Sequence, residues 1–176
     1  MTYKDEVTKA MKLLAEDERT IFIGQTVVYK GTAIYGTLES IIEEKRIEVP
    51  IMEEVQTGMA IGLALSGYIP ISIYPRFDFL ILATNQLVNH LDKIEEMSGG
   101  IFKPRVIIRT MIGSTNPLYP GPQHCQDHTE AYRLMLKNVD IVKLIRSKDI
   151  VPEYKRALER KRSTLLIELS DMYEKD

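Results

Sequence analysis

Hydrophobic residues recur along this chain at two spacings, and each spacing predicts a different kind of element. Near the start of the chain, apolar residues recur at positions i, i+3, i+4 and i+7, as Val7, Ala10, Met11 and Leu14. This spacing predicts an amphipathic helix over residues 3 to 16. The next apolar run, residues 20 to 23, is short and continuous and ends at a glycine, as a buried strand of a parallel sheet does.

The same two patterns alternate along the rest of the chain. Further strands are predicted at residues 47–50, 69–74, 105–109, 140–144 and 164–169. Helices are predicted at residues 37–44, 53–66, 79–97, 130–136 and 150–160. Strands that alternate with helices predict a three-layer α/β/α domain with a mainly parallel sheet, formed by residues 1–176 as a single domain. A long loop of glycine, proline and polar residues, 112–126, interrupts the alternation, and loops of that length are usually functional.

Composition and charge exclude several classes of protein. The chain has 176 residues with 23 basic and 25 acidic side chains, so its formal charge of −2 gives no reason to expect a nucleic-acid partner. The first residues are charged and no apolar run approaches about 18 residues, so neither a signal peptide nor a membrane span is expected. The only cysteine, Cys125, cannot pair within the chain, which favours a reducing compartment and a cytoplasmic location.

Ligands of parallel α/β sheets bind at loops beyond the carboxyl ends of the strands. Three predicted loops lie there, at residues 50–53, 75–79 and 113–126. Glu53 closes the first of them, at the start of a predicted helix, where a carboxylate interacts favourably with the helix macrodipole whether or not it has a function. Its neighbour Glu54 fits that simpler interpretation equally well, so charge alone does not distinguish the two.

The third loop carries residues that could ligate a metal or act as a nucleophile. His124 and His128 are one helical turn apart, but no HExxH motif or second cysteine accompanies them, so a metal site is not predicted. The alternative is a capping Asp127, a surface His128 and a His124 that faces substrate. Cys125 could be a nucleophile beside a histidine, yet adjacency in sequence does not bring the two side chains together.

Aromatic residues and glycines mark two further segments. Tyr74, Phe77 and Phe79 crowd the end of one predicted strand, where aromatic residues are usually core, although Phe79 lies where a planar ligand could stack. The run GMAIG at 58–62 indicates close packing of the helix against another backbone rather than phosphate binding, because it matches neither GxGxxG nor a Walker loop.

Nine short motifs in order are familiar as a set. They are IGQ at 23–25, PIME at 50–53, GMAIG at 58–62, GYIP at 67–70, FDF at 77–79, QLVN at 86–89, MSGG at 97–100, VIIR at 106–109 and GPQHCQ at 121–126. Together they resemble the pyrimidine-binding domain of thiamine-diphosphate enzymes. The resemblance is strongest to the β subunit of the decarboxylating component of 2-oxo acid dehydrogenases of pyruvate, branched-chain or acetoin type, with transketolase more distant. It covers residues 2 to 173.

This resemblance implies roles for five residues. Glu53 matches the glutamate that bonds the ring nitrogen of the cofactor's pyrimidine and so activates the cofactor, and Phe79 matches the aromatic residue that stacks on that ring. Gln25 and Ile51 match residues that line the same pocket. His124 matches an active-site histidine that faces substrate. Cys125 stands where the family commonly has serine.

The chain also departs from the family pattern. The family holds the diphosphate and its Mg²⁺ with a GDG motif followed by an asparagine, and this sequence contains no GDG. The resemblance therefore implies that a separate α-type subunit carrying GDG and asparagine holds both, so that thiamine diphosphate is shared across an α2β2 assembly. The C-terminal domain of the usual β subunits is expected to be absent, and the loop from Gly113 is poorer in glycine than the family's loop.

The resemblance favours one function and leaves two alternatives. We expect a pyrimidine-binding β-type subunit, inactive alone, of a heteromeric thiamine-diphosphate enzyme that decarboxylates a 2-oxo acid in the manner of pyruvate dehydrogenase. One alternative is a subunit of a split transketolase-like ketol transferase or carboligase. The other is a regulatory subunit that kept the fold and lost the activity, although such a subunit has no chemical need for Glu53, Phe79 and His124 together.

Overall fold

Six parallel strands form the centre of the molecule in this computed structural model, which describes residues 1–116 and 118–175. The strands are β1 (Thr20–Gly24), β2 (Arg46–Glu48), β3 (Ile69–Tyr74), β4 (Ile107–Ile112), β5 (Asp140–Lys143) and β6 (Thr164–Leu169). They lie in the order β2-β1-β3-β4-β6-β5, and each neighbouring pair is parallel. Pro117, in the predicted long loop, and Asp176, at the end of the predicted domain, lie outside the described residues.

Helices cover both faces of this sheet. They are α1 (Tyr3–Ala15), α2 (Ala33–Leu38), α3 (Glu53–Leu65), α4 (Phe77–Leu80), α5 (Ile94–Met97), α6 (Thr129–Met135) and α7 (Ser147–Glu159). The buried residues of α1, α2 and α7 form one apolar cluster, and those of α3, α4 and α6 form another. Successive residues of β4, Ile107 and Ile108, belong to opposite clusters because side chains alternate across a strand. The predicted three-layer α/β/α arrangement is confirmed.

The prediction of one continuous helix over residues 79–97 is wrong. The segment begins earlier, with α4, and then changes to a 3₁₀ turn (Ile81–Ala83), a π-helical turn (Gln86–Leu91) and α5. The main-chain N–H of Asp92 donates to the carbonyl of Leu87, five residues back, at 2.9 Å. A π turn inserts an extra residue into the helical repeat and so interrupts it. The buried side was predicted correctly, because Leu87 and Leu91 are in the core.

Other element boundaries also differ from the predictions. The helix predicted at 37–44 is instead α2, which begins at Ala33 because the Thr32 hydroxyl accepts from the N–H of Tyr35 at 3.0 Å, followed by a separate 3₁₀ turn (Glu43–Lys45). Strand β4 lies two residues later than predicted, and α7 begins three residues earlier. Among the described residues, no helix is both long and apolar enough to cross a bilayer.

Candidate functional site

The segments that carry the candidate residues lie at one edge of the sheet because β1, β3 and β4 are neighbours. Gln25 follows the carboxyl end of β1, and α4 with Phe79 follows the end of β3. The loop after β4 leads to a 3₁₀ turn that ends at His124. Glu53 begins α3, shortly after β2. All of these segments therefore leave the same edge of the sheet, which is the edge where such folds bind ligands.

Glu53 is a buried carboxylate that makes one side-chain hydrogen bond within the described part of the chain. It is only 4% exposed, and its Oε1 accepts from Nε2 of Gln25, also buried, at 3.2 Å. Glu54 is exposed and accepts instead from Nδ2 of Asn85 at 2.9 Å. The structure thus separates two carboxylates that charge alone did not distinguish, because the first turn of α3 directs one toward the sheet and the next toward solvent.

A polar network behind Glu53 fixes the first turn of α3 against β3. The Thr57 hydroxyl donates to the Glu53 carbonyl at 2.8 Å and lies 2.5 Å from the Tyr74 hydroxyl. Nε2 of Gln56 donates to the Ser72 hydroxyl at 3.1 Å. Burial raises the pKa of Tyr74 to about 12, so this hydroxyl stays protonated at neutral pH. The network holds the backbone of Glu53 in place without occupying its carboxylate.

Phe79 and His124 form a second contact. Their rings meet edge to face, with centroids 5.6 Å apart and planes 85° apart, and both residues are half-buried. Nδ1 of His124 is buried and has no hydrogen-bond partner among the described residues. Buried polar atoms without a partner are rare in native proteins, which makes this nitrogen a candidate for contact with a ligand.

Two residues that were not singled out from the sequence anchor the loop that carries His124. Nη1 of Arg76 donates to the carbonyl of Gly113 and, at 3.1 Å, to the carbonyl of His124. Oδ1 of Asp78 accepts from Nε2 of Gln126 at 2.8 Å. Arg76 and Asp78 flank the start of α4, so they tie both ends of the loop to the segment that carries Phe79. The sequence signal that could have identified Arg76 and Asp78 is their charge, on either side of the apolar Phe77.

Ile51 lines a cavity with Gln25, separate from the cavity that Glu53 borders. It is 78% exposed and shares a cavity of about 570 Å³ with Gln25 and Tyr29. The carboxylate of Glu48 lines this cavity too, and it accepts from the main-chain N–H of Thr26 at 2.6 Å and from the two N–H groups that follow. Glu48, which the sequence analysis missed, therefore shapes the loop next to Gln25.

The histidines and the cysteine of the third loop make separate contacts. His124 contacts Phe79, whereas His128 packs edge to face on Phe77 with centroids 5.5 Å apart. Sγ of Cys125 lies 3.3 Å from a main-chain carbonyl, that of Ser114. Within residues 1–116 and 118–175, no three His, Cys, Asp or Glu side chains are grouped so that they could hold a metal ion.

Comparison with known proteins gives relatives of two kinds. The chain is 33% identical over 136 residues to the mitochondrial pyruvate dehydrogenase E1 component subunit beta of Saccharomyces cerevisiae. The aligned residues cover 75% of this chain and 37% of that protein. It is 32% identical over 119 residues to the 2-oxoisovalerate dehydrogenase subunit beta of Bacillus subtilis, which covers 64% of this chain and 36% of that protein. No protein-family model matches the chain.

Solved structures of transketolases share the fold. A split-gene transketolase, described as an inactive β4 tetramer, superposes with a TM-score of 0.73 at 17% identity. The superposed region covers 95% of this chain and 51% of the transketolase chain. The transketolase of Campylobacter jejuni gives a TM-score of 0.74 at 16% identity and covers 95% of this chain and 25% of its own. The chain therefore has the fold of these transketolases, and its sequence is similar to β subunits of 2-oxo acid dehydrogenases. It spans little more than a third of the length of the curated relatives.

Apolar side chains are exposed around Glu53. Ile51, Met52, Val55, Met59 and Leu82 are each more than 40% exposed. Glu53 itself borders a cavity of about 260 Å³, and Leu82 lines the same cavity. Clusters of exposed apolar residues of this kind mark interaction surfaces more often than ordinary surface.

The glycine run of α3 lies on the same exposed side. The sequence predicted close packing of another backbone at Gly58 and Gly62. That prediction is wrong within the described chain: a Cβ built on Gly62 meets no atom within 4 Å, and one on Gly58 meets only the side chain of Gln86, at 3.9 Å. The run is part of an open surface of α3.

Proposed function

We propose that this chain is a pyrimidine-type domain, which binds the pyrimidine ring of thiamine diphosphate and works as the β-type subunit of a heteromeric enzyme that decarboxylates a 2-oxo acid. The observation that carries the proposal is the state of Glu53. It is a buried carboxylate at the edge of a cavity, and Gln25 is its only side-chain hydrogen-bond donor among the described residues. Such a group still has hydrogen-bonding capacity for a ligand.

The residues present fit a planar nitrogen heterocycle. Oε1 of Glu53 accepts from Gln25, which leaves Oε2 to share a proton with a ring nitrogen. The half-buried ring of Phe79 provides an apolar face on which a flat ring can stack. Gln25 also orients the carboxyl group, because its amide donates to Oε1.

Each residue has a task in the proposed reaction. The cofactor, when bound, supplies the electron sink for the decarboxylation. Glu53 holds a proton between Oε2 and the ring nitrogen, and a positioned acid or base of this kind contributes about 10² to 10⁴-fold to a rate. Nδ1 of His124, which has no partner among the described residues, exchanges a proton with the substrate. Phe79 keeps water from one side of the site.

A diphosphate-binding α-type partner completes the proposed site. The five exposed apolar side chains around Glu53 support this part of the proposal, because a partner that covered them would also enclose the cavity that Glu53 borders. We assign the diphosphate and its Mg²⁺ to that partner, and we propose an α2β2 assembly. A closed site would strengthen the hydrogen bonds made by the Glu53 carboxylate, since water competes less for them.

Exchange of the cofactor's C2 proton tests the role of Glu53. With the chain reconstituted with its α-type partner, we expect Glu53→Gln to slow exchange of this proton for deuterium by about 10² to 10⁴-fold, because the amide cannot take up and release a proton at Oε2. Glu54→Gln is the matched control, since it makes the same change one residue away on the exposed side. Equal effects of the two substitutions would contradict the assignment, and an assembly that binds no thiamine diphosphate would refute the proposed function.

The second candidate function is that of a split transketolase-like ketol transferase. The observation in its favour is the superposition of 95% of the chain on the split-gene transketolase. A substrate panel separates the two candidates. Turnover of pyruvate or branched 2-oxo acids by the reconstituted pair supports decarboxylation, whereas turnover of ketose phosphates alone supports ketol transfer.

A further inference from the structure

A cavity that the proposed roles do not use lies beside the loop that carries His124. Its volume is about 500 Å³, and Arg76, Ser114 and Ser170 are among the residues that line it. Arg76 follows the carboxyl end of β3, Ser114 that of β4 and Ser170 that of β6. The cavity therefore opens at the same edge of the sheet as the candidate site.

Arg76 has donor groups to spare in this cavity. Nη1 bonds to the carbonyls of Gly113 and His124, whereas Nε and Nη2 make no hydrogen bond to any residue the structure describes. No described carboxylate lies within 4 Å of this guanidinium, unlike the paired guanidinium of Arg109. An arginine is always charged and offers a planar fork of donors, which suits carboxylate and phosphate groups. Arg76 thus has the charge and the free N–H groups to bind an anion.

A second, independent observation comes from Ser170. Its Oγ is buried and has no hydrogen-bond partner among the residues described, although the residue lines the same cavity. A buried hydroxyl without a partner is unfavourable, and such a group in a native structure calls for an explanation. A ligand that accepts a hydrogen bond in the cavity would provide one.

The acidic residues of the cavity do not neutralise Arg76. The carboxylate of Asp171 accepts from the N–H and the hydroxyl of Thr115, both at 2.6 Å. Burial alone would raise the pKa of Asp171, but these hydrogen bonds lower it below its ordinary value, so the group stays ionised and occupied at neutral pH. Glu174 and Lys175 contribute opposite charges at the exposed rim.

We propose that this cavity is a subsite for the anionic group of the substrate, with Arg76 as its cation and the Ser170 hydroxyl as a further donor. The ligand chemistry is that of a carboxylate or a phosphate, next to the turn that ends at His124. That the anion belongs to the substrate rests on the proposed function, whereas the binding of an anion does not. Because Arg76 also tethers the loop of His124, anion binding would act on the position of that histidine.

Titration of the chain alone with sodium pyruvate and, separately, with inorganic phosphate tests the subsite by backbone NMR chemical shifts. We expect saturable shifts at the cavity, and we expect Arg76→Gln to weaken binding about tenfold or more, as the loss of a charged hydrogen bond does. Ser170→Ala, which leaves the Arg76 tether intact, should weaken it severalfold. Arg133→Gln, at an exposed arginine paired with Glu130 on α6, is the control and should have no effect.

The two anions distinguish the sources. Tighter binding of pyruvate identifies a carboxylate subsite and tighter binding of phosphate a phosphate subsite, and either result supports the proposal. The proposal would be overturned if neither anion saturated the chain, or if Arg76→Gln or Ser170→Ala left binding unchanged. It would also be overturned if Arg133→Gln weakened binding as much as those two substitutions do. This result is independent of the cofactor: a chain that binds anions but whose assembly binds no thiamine diphosphate would refute the proposed function and leave the anion site standing.

Discussion

Glu168 and Arg109 form a fully buried ion pair whose disruption should destabilise the fold strongly. Nε of Arg109 donates to Oε1 of Glu168 at 2.8 Å, and Nη2 donates to Oε2 at 3.1 Å. The hydroxyls of Tyr154 and Tyr173 each donate to the same carboxylate at 2.5 Å, and Nη1 of Arg109 donates to Thr37 at 2.9 Å. The pair joins β4 to β6, the strands whose ends frame the proposed anion subsite.

The size of the effect follows from the geometry of this pair. At 2.8 Å and an effective dielectric constant of about 20, the attraction between the two charges is about 6 kcal/mol. Burial acts against the charged form of Arg109, but the charge of Glu168 together with the hydroxyls of Tyr173 and Tyr154 outweighs it and raises the pKa of the arginine. An arginine without a partner is still charged at neutral pH, so Arg109 stays charged when Glu168 is neutralised. Glu168→Gln then leaves an unpaired buried cation, which costs about 3 to 5 kcal/mol.

Urea unfolding at pH 7 measures this loss as the difference in the free energy of unfolding. Glu130→Gln is the control, because it breaks an exposed pair with Arg133 and should cost less than about 1 kcal/mol. If Glu168→Gln is too unstable to fold, the double variant Arg109→Met with Glu168→Leu should be more stable than it, since no charge is left unpaired. A cost below about 1 kcal/mol for Glu168→Gln would refute the reasoning.

Two further predictions concern backbone packing and acid stability. Gly24→Ala should lower the free energy of unfolding in urea by about 1 to 3 kcal/mol, because the new Cβ would lie 2.4 Å from the carbonyl oxygen of Ile73. Gly62→Ala should instead stabilise the protein, because the glycine lies in the middle of a helix and its new Cβ would meet no atom within 4 Å. Similar effects of the two substitutions would contradict this prediction. Burial alone would raise the pKa of Asp92, but hydrogen bonds from Lys93 and two main-chain N–H groups lower it. The stabilising contribution of Asp92 is therefore complete above about pH 4 and is lost as the pH falls through the lowered pKa. In the same assay, Asp92→Asn should destabilise the protein at pH 7 and progressively less at lower pH. A difference in unfolding free energy between the variant and the parent that stays constant with pH would contradict this prediction.

The strands could be predicted from the sequence because their signal is local. Strands β3 and β6 lie at the predicted residues, 69–74 and 164–169, since each is a continuous run that is apolar enough to be buried on both faces. The strand order could not be predicted in this way. It depends on pairings between distant segments, such as that of Arg109 on β4 with Leu166 on β6.

The break within the predicted helix 79–97 had no local signal. Leu80, Leu87 and Leu91 are buried on one side, as a continuous helix would also have them. A π turn leaves that spacing compatible with the core while it changes the hydrogen-bond partners of the backbone. Periodicity therefore identified the buried side of this segment correctly and its backbone path incorrectly.

The first turn of α3 shows why the site was harder to predict than the fold. Glu53, Gln56, Thr57 and Ala60 are spaced as one helical face, and all four are buried. Three of them are polar, so a search for apolar periodicity places this face in solvent. A buried polar face is stabilised by hydrogen bonds, and here Nε2 of Gln56 and the hydroxyl of Thr57 are bonded. Oε1 of Gln56 has no partner among the described residues, and Gln25 is the single side-chain donor to Glu53 among them. The local pattern fails at Glu53, a residue of the proposed site that is buried without being fully satisfied, and functional sites are where failures of local rules are expected.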